Sequence, residues 1–263
     1  MRDRIFHALH QVAGEPLVLP NAWDAGSARM LEHAGAKAIA TTSAGVAWAH
    51  GYRDGDLLPN ELLLTTLRST VRAVTVPVSA DIEGGYSNDP AAVTELVSRV
   101  LDAGVVGINI EDGDHPVELL AAKIEAIRGK SSTLFVNART DVYLFQLVEP
   151  ERRLEETLRR AAIYKAAGAS GIFVPAILNS ADIKTVVAEV GLPVNVLALP
   201  GVPPLADLAG LGVARLSAGS GISREVFRLT ASLGKRFLST GTLGEEAASE
   251  WTYASINNLM PIC

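Results

Sequence analysis

Cysteine is almost absent from this chain of 263 residues: one, Cys263, stands at the last position. A lone thiol permits no intrachain disulfide and no metal site built from several cysteines. Long apolar runs are missing too. Nowhere do the roughly 18 uninterrupted apolar residues of a membrane-spanning helix occur. The amino-terminal MRDRIFHALHQ is charged where a secretory signal needs an apolar core. Positive charge is in deficit: 23 Lys and Arg against 29 Asp and Glu leave a net charge of −6, with no basic run. That argues against a nucleic-acid or anionic-membrane partner. These absences lead us to expect a soluble, cytoplasmic protein. Hydrophobic residues make up 48% of the chain, enough for a large core, and charged residues 20%, which is not a disordered composition.

Short apolar runs alternate with amphipathic stretches along the whole length. Strands are expected at 17–20, 38–42, 76–81, 106–111, 134–139, 171–174, 194–197 and 214–217. Helices are expected at 2–13, 25–34, 59–74, 90–103, 117–128, 149–167, 181–190, 203–211 and 222–238. Asn21 to Asp24 reads as a turn, with Asp24 capping the next helix, and 43–56 as a long loop. Strands and helices in alternation mean a parallel sheet with right-handed crossovers. Eight such units without a visible switch in strand order favour an α/β fold of the closed (β/α)8 type, a familiar size at about 250 residues. No Gly-x-Gly-x-x-Gly follows the first strand, so a dinucleotide fold has no support. Residues 1–263 read as one domain, with 239–263 a tail expected to extend the last helix and pack on a neighbour.

The chain is organised around residues 76–112, VPVSADIEGGYSNDPAAVTELVSRVLDAGVVGINIED. Two apolar runs each end in acids, Asp81 with Glu83 and Glu111 with Asp112. In parallel α/β folds the carboxyl ends of strands carry the chemistry. Side chains two apart on a strand share a face roughly 7 Å apart, so Asp81 and Glu83 could both reach one hydrated ion. Their ordinary roles would be a helix cap and a surface acid. Acids gathered at one rim repel one another, and a hard divalent cation offsets that; Mg2+, with Mn2+ as a substitute, is the expected occupant. Asp54 and Asp56, in a Gly-flanked loop, are ordinary turn residues singly and gain weight as outer partners of the metal from the cluster.

Arg139 ends a strand where a cation suits a substrate carboxylate; a salt bridge to Asp141 or Glu111 is its alternative and compatible role. Asn137 faces the same side. Ser43, Ala44 and Gly45 are small enough to let backbone N–H groups approach an oxyanion, and 217–221 could do so at a helix start. Asn195 is a hydrogen-bonding residue where Val or Ile would be ordinary. His115 is a candidate acid or base, though a solvated loop histidine is the plainer reading. Trp23, Trp48 and Trp251 read as packing residues.

The segments PNAWDAGSARMLEHAGAKAIATTSAGVAWAHGYRDG, VPVSADIEGGYSNDP, AGVVGINIEDG, NARTD and PVNVLALPG, in this order, resemble the isocitrate lyase/phosphoenolpyruvate mutase superfamily. The resemblance spans nearly the whole chain. It implies a (β/α)8 barrel, often with the eighth helix swapped between subunits, a homotetramer or dimer, and a Mg2+-bound 2-oxo acid or its enolate. Asp81 then resembles the direct metal ligand, and Glu83 the second acid of that pair, which is usually Asp. Asp54 and Glu111 resemble the acids that reach the metal through water. Ser43, Ala44 and Gly45 match the loop that holds the substrate carboxylate. Arg139 resembles the arginine on the 2-oxo acid, and Asn195 and Arg224 resemble more distal substrate contacts.

The departures bear on the reaction. Lyases of this superfamily carry Lys-Lys/Arg-Cys-Gly-His after the Ile-Glu-Asp strand, and the mutase and hydrolase branches carry a Lys-x-x-Asn-type gating motif. Here that loop is GDHPVELLAAK, with neither. The lyase Glu on the sixth strand gives way to Val174-Pro175-Ala176. The leading expectation is a Mg2+-dependent carbon–carbon lyase or decarboxylase acting on a small 2-oxo or 2-hydroxy acid, with Arg139, Glu111 and His115 as catalytic groups. Tyr86 and Tyr143 are further candidates for returning a proton to the enolate. The alternatives are a P–C bond enzyme, for which Arg53 and Arg224 are the available cations, and a barrel that binds a 2-oxo acid without turning it over.

Overall fold

The computed structural model describes residues 1–243 and 251–260. The apolar runs form nine strand segments: β1 (Leu17–Leu19), β2 (Asn21–Ala22), β3 (Ile39–Thr41), β4 (Val78–Asp81), β5 (Gly107–Glu111), β6 (Phe135–Arg139), β7 (Gly171–Val174), β8 (Val194–Leu197) and β9 (Arg215–Ser217). The helices are α1 (Arg2–Leu9), α2 (Ala25–His33), α3 (Ser43–Ala49), α4 (Asn60–Ala73), α5 (Pro90–Asp102), α6 (Val117–Lys130), α7 (Arg153–Ala166), α8 (Ser180–Val190), α9 (Leu205–Gly210), α10 (Gly221–Thr240) and α11 (Tyr253–Leu259).

All pairings are parallel, in the order β1-β9-β8-β7-β6-β5-β4-β3-β2. The two ends of that order are consecutive in the chain. Pro20 separates β1 from β2; it has no N–H to donate, and its carbonyl accepts the Ala40 amide at 3.1 Å. The extended chain thus continues past the expected strand end at Pro20 and changes neighbours there, β1 pairing with β9 and β2 with β3, and the sheet becomes a near-closed barrel. The expected (β/α)8 architecture is what forms.

Two apolar layers hold it. Between sheet and helices lie Leu64, Leu67, Val97, Val100, Ile124 and Ile127 with Ile108, Ile110, Val136 and Ile172, all buried. Burying each such side chain contributes roughly 1.5–3 kcal/mol before the entropic cost of ordering it. A second cluster joins Leu17, Leu19, Ala38, Ala40 and Phe135 to Phe6 of α1, whose ring meets Phe135 edge-on at 5.4 Å. A Cβ on Gly107 would stand 2.6 Å from Phe6, so the close approach of α1 requires glycine there. Asp24, Asp89 and Asn179 cap α2, α5 and α8 by accepting first-turn amides.

Two local expectations are corrected. Asn21 and Ala22 form a strand and not a turn, because β3 offers them a parallel partner. The expected loop 43–56 begins as helix α3, whose small residues Ser43 to Ala47 are all buried. The tail folds back in part, with α11 against α2 and the Leu259 carbonyl accepting from Arg29; Cys263 lies outside the described residues.

The last helix of the series behaves differently from the others. In α10 only Ser223 is buried, while Phe227, Leu229 and Phe237 are 41%, 51% and 53% exposed. On the wall, Val18 of β1 is 51% exposed. Among the described residues no helix is long and apolar enough to cross a membrane.

Candidate active site

The carboxyl ends of the strands place the candidate residues. β4 ends at Asp81, which is 8% exposed, and its amide donates to Thr41 Oγ1 on β3 at 2.9 Å. β5 ends at Glu111 and β6 at Arg139, which are register partners. Arg139 binds both acids that the sequence offers it: Nη1 lies 2.5 Å from Glu111 Oε2 and Nε 2.7 Å from Asp141 Oδ1.

Behind this group stands a residue whose role the sequence does not disclose. Asp112 turns away from the rim, is 2% exposed, and accepts three hydrogen bonds. They come from the Asp141 amide at 2.9 Å, Arg160 Nη1 at 2.8 Å and the Tyr164 hydroxyl at 2.6 Å. Glu156 holds the same Arg160 through Nε at 2.7 Å. A helix on the outside of the barrel thus fixes the turn that aims Arg139. Only a long-range contact reveals this, since Arg160 and Tyr164 look like ordinary polar members of an amphipathic helix.

Glu83 does not share a strand face with Asp81. β4 stops at Asp81, and Glu83 has a left-handed backbone with φ 52°, so the two-residue spacing no longer sets its direction. Its Oε2 accepts the amides of Gly55, at 2.7 Å, and Asp56, and its Oε1 accepts the Tyr86 hydroxyl at 2.7 Å.

Thr42, Ser43, Ala44, Asp54, Asp81 and Arg139 line one side of a pocket of about 260 Å3 at this end of the barrel. Ala218 to Gly221 and Arg224, at the start of α10, line another side, and Leu144, Phe173, Pro175, Leu197 and Leu199 supply an apolar wall. The sequence carries no chemical signal for that wall, although its members sit on or past strand ends. Six expected site residues therefore meet: Ser43, Ala44, Asp54, Asp81, Arg139 and Arg224.

The others stand elsewhere. Gly45 packs inside, where a Cβ would lie 2.6 Å from Thr42 Cγ2. Asn195 is inside the barrel, its Oδ1 accepting from Ser217 at 3.2 Å. Glu111 is outside the pocket lining, paired with Arg139. His115 is exposed in the loop after β5 and outside the pocket lining, because the short loop turns it to solvent. Arg53 is exposed and outside the lining as well. The hydroxyls of Tyr86 and Tyr143 are committed to Glu83 and Asp182. The expected oxyanion role of 217–221 is reduced, since the amides of Ala218 and Gly219 both donate to Asn21 Oδ1, at 3.0 and 2.9 Å.

The electrostatics of the rim are those of too many acids. Burial pushes Asp81 up from 3.8 to about 6, against the opposing pull of Arg139. Burial and the Glu83 charge raise Asp54. Burial holds Glu111 well above its ordinary value, even with Arg139 beside it. Burial would lower Arg139, but the carboxylates of Glu111, Asp141 and Asp81 more than offset this and raise it. An all-oxygen set with surplus negative charge suits Mg2+. Among the described residues no three acids or histidines converge closely enough to cage an ion unaided.

Comparison with known proteins agrees with this geometry. The phosphoenolpyruvate phosphomutase family model matches residues 6–238. An uncharacterized Mycobacterium tuberculosis protein is 40% identical over 219 residues, covering 82% of this chain and 81% of that one. The 2-methylisocitrate lyase of Halalkalibacterium halodurans is 28% identical, over 81% of this chain and 70% of that one. A solved structure from Burkholderia cenocepacia, provisionally named a phosphonomutase, is 42% identical with a TM-score of 0.84, covering 89% of this chain and 99% of that one. Barrel, acidic rim and matched length together make the chain a member of the phosphoenolpyruvate phosphomutase family, within the isocitrate lyase/phosphoenolpyruvate mutase superfamily.

Proposed function

We propose that this chain is an enzyme that opens the P–C bond of a small 2-oxo acid of the phosphonopyruvate type through an enolate. The observation that carries the reading is the placing of two arginines around one pocket. Arg139 lies beside Asp81, and Arg224 lies on the first turn of α10. A substrate with a 2-oxo carboxylate at one end and a phosphonate at the other is matched in charge at both ends. The family match, and the provisional name of the 42% identical structure, favour this P–C reading over the carbon–carbon lyase expected first.

Asp81 would hold Mg2+ directly, with Asp54 and Glu111 reaching it through water. Bound there, the ion would act as a Lewis acid on the 2-oxo group. Ser43 and Ala44, at the start of α3, present backbone to the substrate carboxylate. Arg139, fixed by Glu111 and Asp141, faces the oxygen on which enolate charge develops and stabilises it without having to reorganise. Opening the P–C bond leaves its electron pair on C3, conjugated as the enolate. The phosphoryl group passes to the enolate oxygen or to water. Transposition moves no proton, and in hydrolysis the water supplies the proton that C3 takes up. Among the described lining residues none is His, Cys, Lys or Tyr, which suits a reaction that needs no side-chain base.

The second reading is decarboxylation or carbon–carbon cleavage of an oxaloacetate-like acid. Its support is the apolar wall of Leu144, Phe173, Pro175 and Leu197, which would desolvate a carboxylate or receive an alkyl group. In either reading the chain works as a homo-oligomer, for which the exposed apolar face of α10 is the support.

Incubation with Mg2+ and phosphonopyruvate, oxaloacetate, 2-methylisocitrate or 2,3-dimethylmalate, followed by phosphorus and proton NMR, tests this. Phosphate or phosphoenolpyruvate from phosphonopyruvate, lost in Asp81→Ala, is the expected result. Pyruvate from a carbon substrate would select the second reading. Tight Mg2+-dependent binding in calorimetry without any product would make the protein a binding barrel.

A further inference from the structure

We infer that Glu83 is a positioning residue and not a metal ligand: its carboxylate is the clasp that ties the loop 51–57 to the end of β4 and sets Asp54 at the pocket. Every residue from 51 to 57 keeps much of its surface in solvent, so apolar packing does little to hold this loop, yet Asp54 within it lines the pocket with a carboxyl that is partly desolvated there. The two amides that Glu83 accepts, Gly55 at 2.7 Å and Asp56, are the two that directly follow Asp54. Those bonds use Oε2, and the Tyr86 hydroxyl uses Oε1 at 2.7 Å. Glu83 itself is 4% exposed and outside the pocket lining.

The surroundings are built for the same purpose. Asp56 Oδ1 accepts the Tyr86 amide at 3.2 Å, closing a second link between the two segments. Lys123 of α6 donates to the Gly84 carbonyl at 2.7 Å, which anchors the turn to the helix layer. A Cβ on Gly84 would stand 2.9 Å from Asp56 Oδ2 and would press on the carboxylate that makes this link. Asp56, Glu83 and Tyr86 all have left-handed backbones, with φ 56°, 52° and 58°. Side-chain-bearing residues keep that conformation only where surrounding bonds enforce it.

Length also matters. An Asp here would fall about 1.5 Å short of the two amides, the length of one carbon–carbon bond. The added methylene of Glu reaches them. The proposal uses the reading of Asp54 as a metal partner, but the clasp itself can be judged without any metal.

The test sets Glu83→Gln against Glu83→Asp. Gln keeps a carbonyl oxygen for both amides, and its NH2 can donate to the Tyr86 oxygen; Asp keeps the charge and loses the reach. Amide hydrogen exchange of Gly55 and Asp56 is followed by NMR in the metal-free protein, and Mn2+ affinity is measured by electron paramagnetic resonance. For a clasp, Glu83→Gln leaves both readouts within about threefold of wild type, whereas Glu83→Asp speeds exchange of the two amides about tenfold or more and weakens Mn2+ binding. The reverse pattern, with Mn2+ binding kept by Asp and lost with Gln while the amides stay protected, would overturn the inference. Should Glu83→Asp fail to fold, Tyr86→Phe is the second variant. Its expected effect is faster exchange at the same two amides, and unchanged exchange would count against the clasp. A wild-type protein that binds no Mn2+ would sink the proposed function, while the exchange comparison would still decide the role of Glu83.

Discussion

Tyr164 donates its hydroxyl to Asp112 Oδ2 at 2.6 Å, and the other oxygen of that carboxylate accepts the Asp141 amide at 2.9 Å. A residue of α7 is thus two bonds removed from the turn that holds Arg139. Tyr164→Phe deletes one bond of three to the carboxylate and leaves Arg160 in place, so it is expected to cost about 1 kcal/mol in urea unfolding. Asp112→Ala strands Arg160 and the Tyr164 hydroxyl in a buried site and is expected to cost about 3 kcal/mol. Equal losses for the two variants would mean that the phenol, and not the ion pair, dominates.

Asp81 makes stability depend on pH. Its folded value of about 6 lies above the ordinary 3.8, so the folded chain holds this proton more tightly than the unfolded chain. The neutral form is favoured, its contribution is complete below about pH 4, and it is lost as pH rises to about 6, by roughly 3 kcal/mol at most. Thermal unfolding in EDTA is expected to show this decline. Asp81→Asn, which cannot ionise, is expected to lose less over the same window. Mg2+ is expected to stabilise the wild-type protein more at pH 7 than at pH 5. An Asp81→Asn protein less stable than wild type at pH 7 would mean that Arg139 already compensates the charge.

The barrel was legible because its signals are local and repeated: eight short apolar runs, each followed by helical spacing, leave few other arrangements. Asp81, Arg139 and Ser43 were legible because strand ends are where such a barrel places its chemistry. At Pro20 a missing N–H makes the extended chain change neighbours, and periodicity does not register a lost donor. Strand spacing does not give the direction of Glu83, because past Asp81 the chain enters a turn whose handedness the letters do not show. Adjacency pairs Asp112 with Glu111, yet neighbouring residues at a strand end point to opposite faces, and Asp112 turns toward α7. Leu144, Phe173 and Leu197 carry no chemical signal of their own. Only the assembled barrel makes them a wall.

The exposed face of α10 leads to a prediction about assembly. Phe227, Leu229 and Phe237 are large apolar side chains of α10 that a single chain leaves about half exposed, and Val18 is equally exposed on the barrel wall. A surface of this kind marks an association site. Light scattering after size exclusion is expected to give an oligomer for the wild-type chain. Leu229→Glu and Val18→Glu are each expected to lower the mass, because each places a charge in a buried contact. An unchanged monomer mass in all three would sink the oligomer reading.

The two arginines separate what binds the acid from what selects the substrate. Arg139 is held by Glu111 and Asp141 on the side of Asp81, whereas Arg224 is exposed on the first turn of α10. Oxalate has two carboxylates and nothing beyond them, so it should need Arg139 and be indifferent to Arg224. Phosphonopyruvate extends across the pocket and should need both. Arg139→Met is expected to weaken both ligands by about 10–100-fold, the worth of a charge-assisted hydrogen bond. Removing its guanidinium also leaves Glu111 and Asp141 unpaired, so an unfolding curve must accompany the titration. Arg224→Met is expected to leave oxalate unchanged and weaken phosphonopyruvate about tenfold in Mg2+-containing calorimetry. If Arg224→Met weakens neither ligand, the distal group is not an anion held by this helix, and the apolar wall becomes the better guide to the substrate.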